Sequence, residues 1–453
     1  MTTEPAGIVV VGASLAGLRG AEALRRGGYA GPLTLVGAEP YRPYDRPPLS
    51  KHVLAGELDA GATRLPELTA LGASWRLGQA AVSLDRTART IRLADGAALA
   101  YDKLLVATGA EARPWPAETG GGLSGVFTLR GRDDAAALRE AVAAGPRRVL
   151  IVGGGLIGCE AASCLRDLGL PVTLVDPNPT PLAASLGTVV GAVIAERLRA
   201  SGAEFRPGTR VRALEGDAAG RVVRARLSDG GTIAADLVIA ALGATRATGW
   251  LRGAGLRADA GGLTCDGACR ALDADGTPCP DIYAAGDVAR WPIPLYGQRL
   301  VSVEHWGNAV EQAAHAAGNM LAGPEDQRPY AHLPAFWSSQ FGLNIKLVGL
   351  TAGADAVAVV QGSRESRRFL AVYGQGGRTV AALSVDQARW LPAYAQAVSA
   401  GSPFPPILDA TDQPRIRTAA PGFPPPRARE PAPRVPETVS ETVSKIVPET
   451  DHV

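Results

Sequence analysis

The sequence predicts an α/β chain built from two parallel-sheet units and a third, smaller α+β unit, and three features carry that prediction. A run of strand, glycine-rich turn and helix occurs twice, as IVVVGASLAGLRGAEALRRGG (residues 8–28) and VLIVGGGLIGCEAASCLRDLG (149–169). An apolar strand stopped by glycine also occurs twice, as YDKLLVATGA (101–110) and ADLVIAALGA (235–244). The chain has 453 residues, more than the roughly 250–300 at which a single core stops growing, so it divides into domains.

In each copy the β-branched run reads as a buried parallel strand, and the small residues after it are spaced to pack a helix onto the sheet. The turns carry the spacing of the dinucleotide fingerprint: Gly12, Ser14 and Gly17 in the first copy, Gly153, Gly155 and Gly158 in the second. The first glycine makes the turn, the middle position lets backbone approach a pyrophosphate, and the last lets helix and strand close up. Leu15 and Ala16 in one copy, Leu156 and Ile157 in the other, open a helix whose unpaired N–H groups face the anion. Ser14 is small but stands where the pattern has glycine. A second strand then ends in an acid, Glu39 or Asp176, about 20 residues beyond the last glycine, placed to accept ribose hydroxyls. Gly109, after Thr108, and Gly243 close the two units and let backbone lie along a bound cofactor.

Two fingerprints predict two dinucleotides, a flavin in one and a nicotinamide in the other. After Asp176 the chain runs PNPTPLAAS, without arginine or lysine to neutralise a ribose phosphate, so NADH is expected over NADPH. A third segment, DIYAAGDVARW (281–291), reads as a short strand, Gly286, and Asp287 where a helix would begin. That acid either caps the helix or binds a ribityl hydroxyl. Because the segment comes after the second unit, the first is split and the second is lodged inside it. The expected layout is an FAD-binding domain at 1–115 and 247–328, an NAD-binding domain at 116–246, and a C-terminal α+β interface domain at 329–408. A proline-rich tail at 409–453, too poor in apolar surface to order itself, is expected to be disordered.

Composition narrows the function classes. With 46 Lys and Arg against 44 Asp and Glu, the balance argues for neither nucleic acid nor a membrane surface. The start, MTTEPAG, has no basic cluster before an apolar run, and no stretch is apolar enough to span a bilayer, so a cytoplasmic protein is expected. Five cysteines argue against a disulfide framework. Cys159 and Cys164 stand about 140° apart on a helix and read as structural thiols. Cys265, Cys269 and Cys279 are expected in a loop whose spacing fits no zinc pattern.

Residues 44–51, YDRPPLSK, precede every cysteine of the chain. Pro47 is expected to hold Arg46 extended, and the two prolines to start a helix whose first turn includes Ser50 and Lys51. A lysine there opposes the helix dipole, which implies a compensating partner.

With GGGLIGCE, DIYAAGDVARW, VEHWGNAVEQA (303–313) and FWSSQFGLNIKLVGL (336–350), that segment resembles the FAD-dependent ferredoxin reductases of oxygenase systems, the putidaredoxin-reductase and biphenyl-dioxygenase-reductase type. The similarity runs over roughly residues 6–400 and lies within the glutathione-reductase-like fold. The resemblance implies FAD on Gly12–Gly17, Glu39, Arg46, Lys51, Ala81, Thr108, Gly109, Arg130, Gly286, Asp287 and Trp306. It places Lys51 at the flavin ring, Glu160 across the nicotinamide pocket, and Trp306 against the flavin. In many flavoproteins of this fold the segment at YDRPPLSK carries a redox-active cysteine pair. Lacking one, the chain is expected to pass electrons from NADH through FAD, one at a time, to a small iron–sulfur ferredoxin that supplies a haem monooxygenase or ring-hydroxylating dioxygenase. A monomer or weak dimer is expected. Relatives usually have aspartate at Ser339 and tyrosine near Phe341, a departure that bears on partner choice. Two other readings stay open: an NADH-dependent peroxidase or disulfide reductase, which the missing cysteines oppose, and a redox sensor resembling apoptosis-inducing factor.

Overall fold

In the computed structural model, which describes residues 6–408, the wholly buried strand Ile8–Val11 runs through a six-stranded sheet. The order is Arg270–Leu272, Pro278–Ala284, Lys103–Val106, Ile8–Val11, Leu33–Gly37 and Ser74–Leu77. All pairs are parallel except the first. Such a sheet is covered on both faces, which is why its central strands are continuous apolar runs. Pro278–Ala284 comes from beyond the second glycine turn, so the chain leaves this sheet and returns to complete it.

The second sheet is parallel throughout, ordered Glu204–Arg206, Val172–Val175, Val149–Val152, Leu237–Ala240 and Val126–Phe127. The two cores share one register. Ile8 lies opposite Leu33 and Lys103, and Val149 lies opposite Val172 and Leu237. Each sheet also carries a three-stranded antiparallel ribbon at the same place in the chain, 81–100 and 211–234. The chain crosses between the sheets on two short strands that pair antiparallel, Ala110–Ala112 and Ala244–Arg246. Both come directly after the glycines that end the repeated strands.

The repeat extends to atomic crowding at the glycine turns. Gly12 has φ +114° and Gly153 φ +108°, a region that side-chain-bearing residues avoid. A Cβ on Gly17 would lie 1.8 Å from the Gly12 carbonyl oxygen, and one on Gly158 2.0 Å from that of Gly153. The last glycine of each fingerprint is therefore what lets the helix start against the strand.

Both sheets belong to a compact unit that ends at His332; a second begins at Leu333, close to the expected 329. The second is a five-stranded antiparallel sheet, ordered Ala335–Gln340, Leu343–Gly349, Arg378–Val385, Arg368–Gln375 and Ala356–Ser363, with the helix Leu391–Ser399 after it. FWSSQFGLNIKLVGL forms its first hairpin, turning at Phe341 and Gly342. The expected disordered tail at 409–453 lies outside the described residues. Among the described residues no helix is long and apolar enough to cross a membrane.

A methyl group at Gly17 or Gly158 has backbone, not a flexible side chain, in its way. Gly17→Ala and Gly158→Ala are each expected to lower stability by about 1–3 kcal/mol, read from urea midpoints. Unchanged midpoints would contradict the crowding.

Candidate functional site

The first glycine turn opens the helix Leu15–Arg26 with Ser14, in extended conformation, at its N-cap. The first helical bond runs from Leu18 N to Ser14 O, which leaves the amides of Leu15, Ala16 and Gly17 without helical acceptors. The turn residues just before them, Gly12, Ala13 and Ser14, line a cavity together with Glu39, Arg46, Ala81, Thr108 and Trp250. Glu39 accepts from the Tyr44 hydroxyl and pairs with Arg46 at 2.5 Å. Arg46 also donates to the Arg130 carbonyl at 2.8 Å, and Arg130 reaches Asp287 at 2.7 Å and the Ala110 carbonyl at 3.0 Å. Thr108 is tied to the Ala247 carbonyl at 2.8 Å, just beside the crossing strands, where Gly109 turns the chain with φ +69°. Expected flavin residues from five separate segments thus meet in one place.

The donor set fits a flavin dinucleotide. Gly12, Ala13 and Ser14, the turn that leads into a helix N-terminus, line the cavity together with the Glu39 carboxylate, the combination that a pyrophosphate and a ribose require.

Asp287 corrects the sequence reading. It lies in a three-residue 3₁₀ turn, Gly286–Val288, that leads directly into the strand Ala289–Ile293, so no helix starts there and a capping role falls away. The helix begins instead at Trp306, whose indole donates to Asp45 Oδ1 at 2.9 Å. Burial raises the Asp45 carboxyl above its ordinary range.

YDRPPLSK also departs from expectation in two respects. Arg46 is helical (φ −89°, ψ −33°) rather than extended, because its carbonyl closes the 3₁₀ turn Pro47–Ser50 by accepting from Leu49 N at 3.0 Å. Lys51 lies between that turn and the short helix His52–Ala55, with φ −126° and ψ −101°, so the dipole argument does not apply to it. Its partner is nonetheless present. Lys51 Nζ lies 2.6 Å from Glu160 Oε2, and Ser50 Oγ donates to the same oxygen at 2.6 Å.

At the second turn, Asp176 is buried and accepts from Gly154 N at 2.6 Å and from Asn178 N and Nδ2 at 2.7 and 2.8 Å. It therefore braces the glycine turn from the end of the second strand. A Cβ on Gly155 would meet no heavy atom within 4 Å, so the middle position opens onto free space, and Ile157 beside it is exposed. Leu156 begins the helix that carries Gly158 and Glu160. Gly243 has φ +82° and its carbonyl accepts from Arg113 N at 3.0 Å.

All five cysteines are free and buried. Burial pushes the Cys159 thiol up and that of Cys164 up to about 12, which makes them poor nucleophiles. Cys279 lies in the strand Pro278–Ala284 and Cys265 bridges to Ala271, so the expected loop is partly sheet. Among the described residues no group of three or more His, Cys, Asp or Glu could hold a metal ion. Sequence reasoning missed Asp45, Tyr44 and Asn178. The first two stand inside the quoted motif, where nothing local reveals that Asp45 meets Trp306 or that Tyr44 turns back to Glu39.

The family model described as pyridine nucleotide-disulphide oxidoreductase matches residues 6–313, and one described as reductase C-terminal matches 335–420. The biphenyl dioxygenase system ferredoxin–NAD(+) reductase component of Paraburkholderia xenovorans (strain LB400) is 38% identical over 369 residues, covering 79% of this chain and 84% of the relative. Putidaredoxin reductase of Pseudomonas putida is 35% identical over 388 residues, covering 84% and 88%. Among solved structures, the covalent putidaredoxin reductase–putidaredoxin complex superposes with a TM-score of 0.81 at 32% identity, over 88% of this chain and 94% of the matched one.

The geometry carries two testable outcomes. Asp176→Ala releases the brace on the second turn only, so the KM for NADH should rise about tenfold while FAD stays bound; loss of flavin instead would reverse the assignment of the two sites. His305, at the N-cap of the Trp306 helix, is held neutral by burial, its pKa pushed down from 6.5 to about 4 against the opposing pull of Asp287. Between those values the unfolded chain binds the proton and the folded one does not, so stability should fall as pH drops through this window, by about 1–3 kcal/mol. Urea midpoints near pH 7 and near pH 5 measure this, and His305→Gln should flatten the dependence.

Proposed function

We infer the activity from one premise: the chain belongs to the pyridine nucleotide-disulphide oxidoreductase family. Within it, the chain is an FAD-dependent NADH:ferredoxin oxidoreductase whose acceptor is a small iron–sulfur ferredoxin, and through it an oxygenase. The observation that carries this reading is that the YDRPPLSK segment meets Glu160 through Ser50 and Lys51 and holds no cysteine, so no dithiol stands in the segment where many flavoproteins of this fold take up the electron pair. The electrons must leave to an external carrier.

Bound FAD supplies the exchange between a hydride donor that gives two electrons at once and a carrier that takes one. The chain's own residues bind and orient. The glycine turn at Gly12 and the amides of Leu15 and Ala16 hold the pyrophosphate, Glu39 takes the ribose hydroxyls, and Asp287, steadied by Arg130, takes the ribityl chain. Gly153–Gly158 and Asp176 hold NADH. Glu160 and Lys51 set the charge where the nicotinamide meets the flavin, and Trp306, anchored through Asp45, walls the ring. Without a covalent nucleophile, catalysis rests on placement and electrostatics. We place the protein in the cytoplasm, where NADH and reduced thiols are found together.

The purified holoprotein should be yellow, lose its flavin absorbance on anaerobic addition of NADH, and reduce cytochrome c only when a small ferredoxin is also present. Flavin that NADH bleaches but that ferredoxin cannot reoxidise would replace this reading with that of a redox sensor.

A further inference from the structure

We propose that Ser50 is a positioning residue for the nicotinamide site: its hydroxyl holds the Glu160 carboxylate in place while the Lys51 ammonium is free to move. The proposal rests on the reading of Glu160 and Lys51 given above.

Ser50 and Lys51 both reach Glu160 Oε2 at 2.6 Å, yet they differ in kind. Ser50 is 2% exposed and ends the Pro47–Ser50 turn, whose two prolines leave its backbone little freedom. The Lys51 side chain is 23% exposed and ends a flexible four-carbon stem. The helix Leu156–Asp167 grips the Ser50–Lys51 pair at two points, since Cys164, one turn beyond Glu160, donates its thiol to the Lys51 carbonyl at 3.5 Å. The serine hydroxyl is thus fixed to the same helix that carries the carboxylate. A buried carboxylate served only by a mobile cation loses its fixed direction whenever the cation turns elsewhere. Ser50 gives the carboxylate a donor that does not move with the ammonium, and leaves Lys51 able to turn toward the flavin ring or the incoming nicotinamide while Glu160 stays held.

The test uses the holoprotein without ferredoxin. Flavin bleaching is followed by anaerobic stopped flow with NADH, and with NADH deuterated at the transferred position, in wild type, Ser50→Ala, Glu160→Gln and the double variant. Ser50→Ala should keep its flavin and melting temperature, lose about tenfold in the rate at saturating NADH, and keep the isotope effect. In the Glu160→Gln background the same change should cost less than about twofold, because a residue acting through Glu160 has nothing left to position. Equal losses in both backgrounds, or no loss in the first, would overturn the proposal. Should Ser50→Ala shed its flavin, Ser50→Cys keeps the shape with a weaker donor and must fall below the wild-type rate; a wild-type rate there also overturns it. A wild-type flavin that NADH does not bleach would defeat the functional reading and this proposal with it, whereas normal bleaching with no Ser50 effect defeats the proposal alone.

Discussion

A carboxylate taken out of water must find donors or give up its charge, and Glu160, 6% exposed on the helix after the second glycine turn, is such a group. One donor, Ser50, comes from the other dinucleotide unit, 110 residues away along the chain, on a turn made rigid by two prolines, and Lys51 follows it. Removing one partner from a pair of this kind costs several times what exposed pairs contribute. The placement of the Pro47–Ala55 segment against the Leu156–Asp167 helix is therefore a chemical requirement as well as a matter of packing. On the proposed function, the same contact that joins the two units would also set the charge between flavin and nicotinamide.

The topology supports this with little covalent linkage. The chain passes from the first sheet to the second and back on two three-residue strands that pair with one another. Their pairing brings Gly109 and Gly243, the ends of the two repeated strands, to the same region. Thr108, at the edge of the flavin cavity, is hydrogen-bonded to Ala247 on the returning segment. A shift of the second unit would therefore be felt directly at the wall of the first site. Both sheets keep the same register, so each presents its glycine turn at the carboxyl ends of its strands, where open α/β sheets bind ligands.

The features legible in the sequence and those hidden from it divide along a physical line. The glycine turns and the strands that lead to Glu39 and Asp176 were legible because each is dictated locally, by a backbone that tolerates no Cβ or by a strand period. Arg46 was misread because the preference of a residue before proline is a bias of a free peptide; in the folded chain the Leu49 amide and the partners of the Arg46 guanidinium outweigh it. Asp287 was misplaced for the opposite reason. A glycine and then an acid look the same before a helix as before a 3₁₀ turn, and here the turn runs on into a strand paired with Arg299–Val301. The pairs Arg130–Asp287 and Trp306–Asp45 span 157 and 261 residues, and no window along the chain contains them.

The two sites differ in how strongly charge binds their parts, and the difference bears on what each must do. In the flavin site, the Arg46 and Glu39 side chains are 27% and 41% exposed. Pairs as accessible as this contribute about 0–1 kcal/mol, so a cofactor exchanges their hydrogen bonds for its own at little cost. Retention of a flavin must then come mainly from the backbone cradle, the helix N-terminus and the enclosed surface, all of which persist through repeated turnover. At the Glu160 site the carboxylate is buried, and Ser50, one of its donors, sits on a proline-stiffened turn. There the carboxylate's charge cannot be exchanged cheaply, and the part of the site that stays fixed is the carboxylate rather than its ammonium partner. On the proposed function, the permanent cofactor would be held by shape and the transient one oriented by charge.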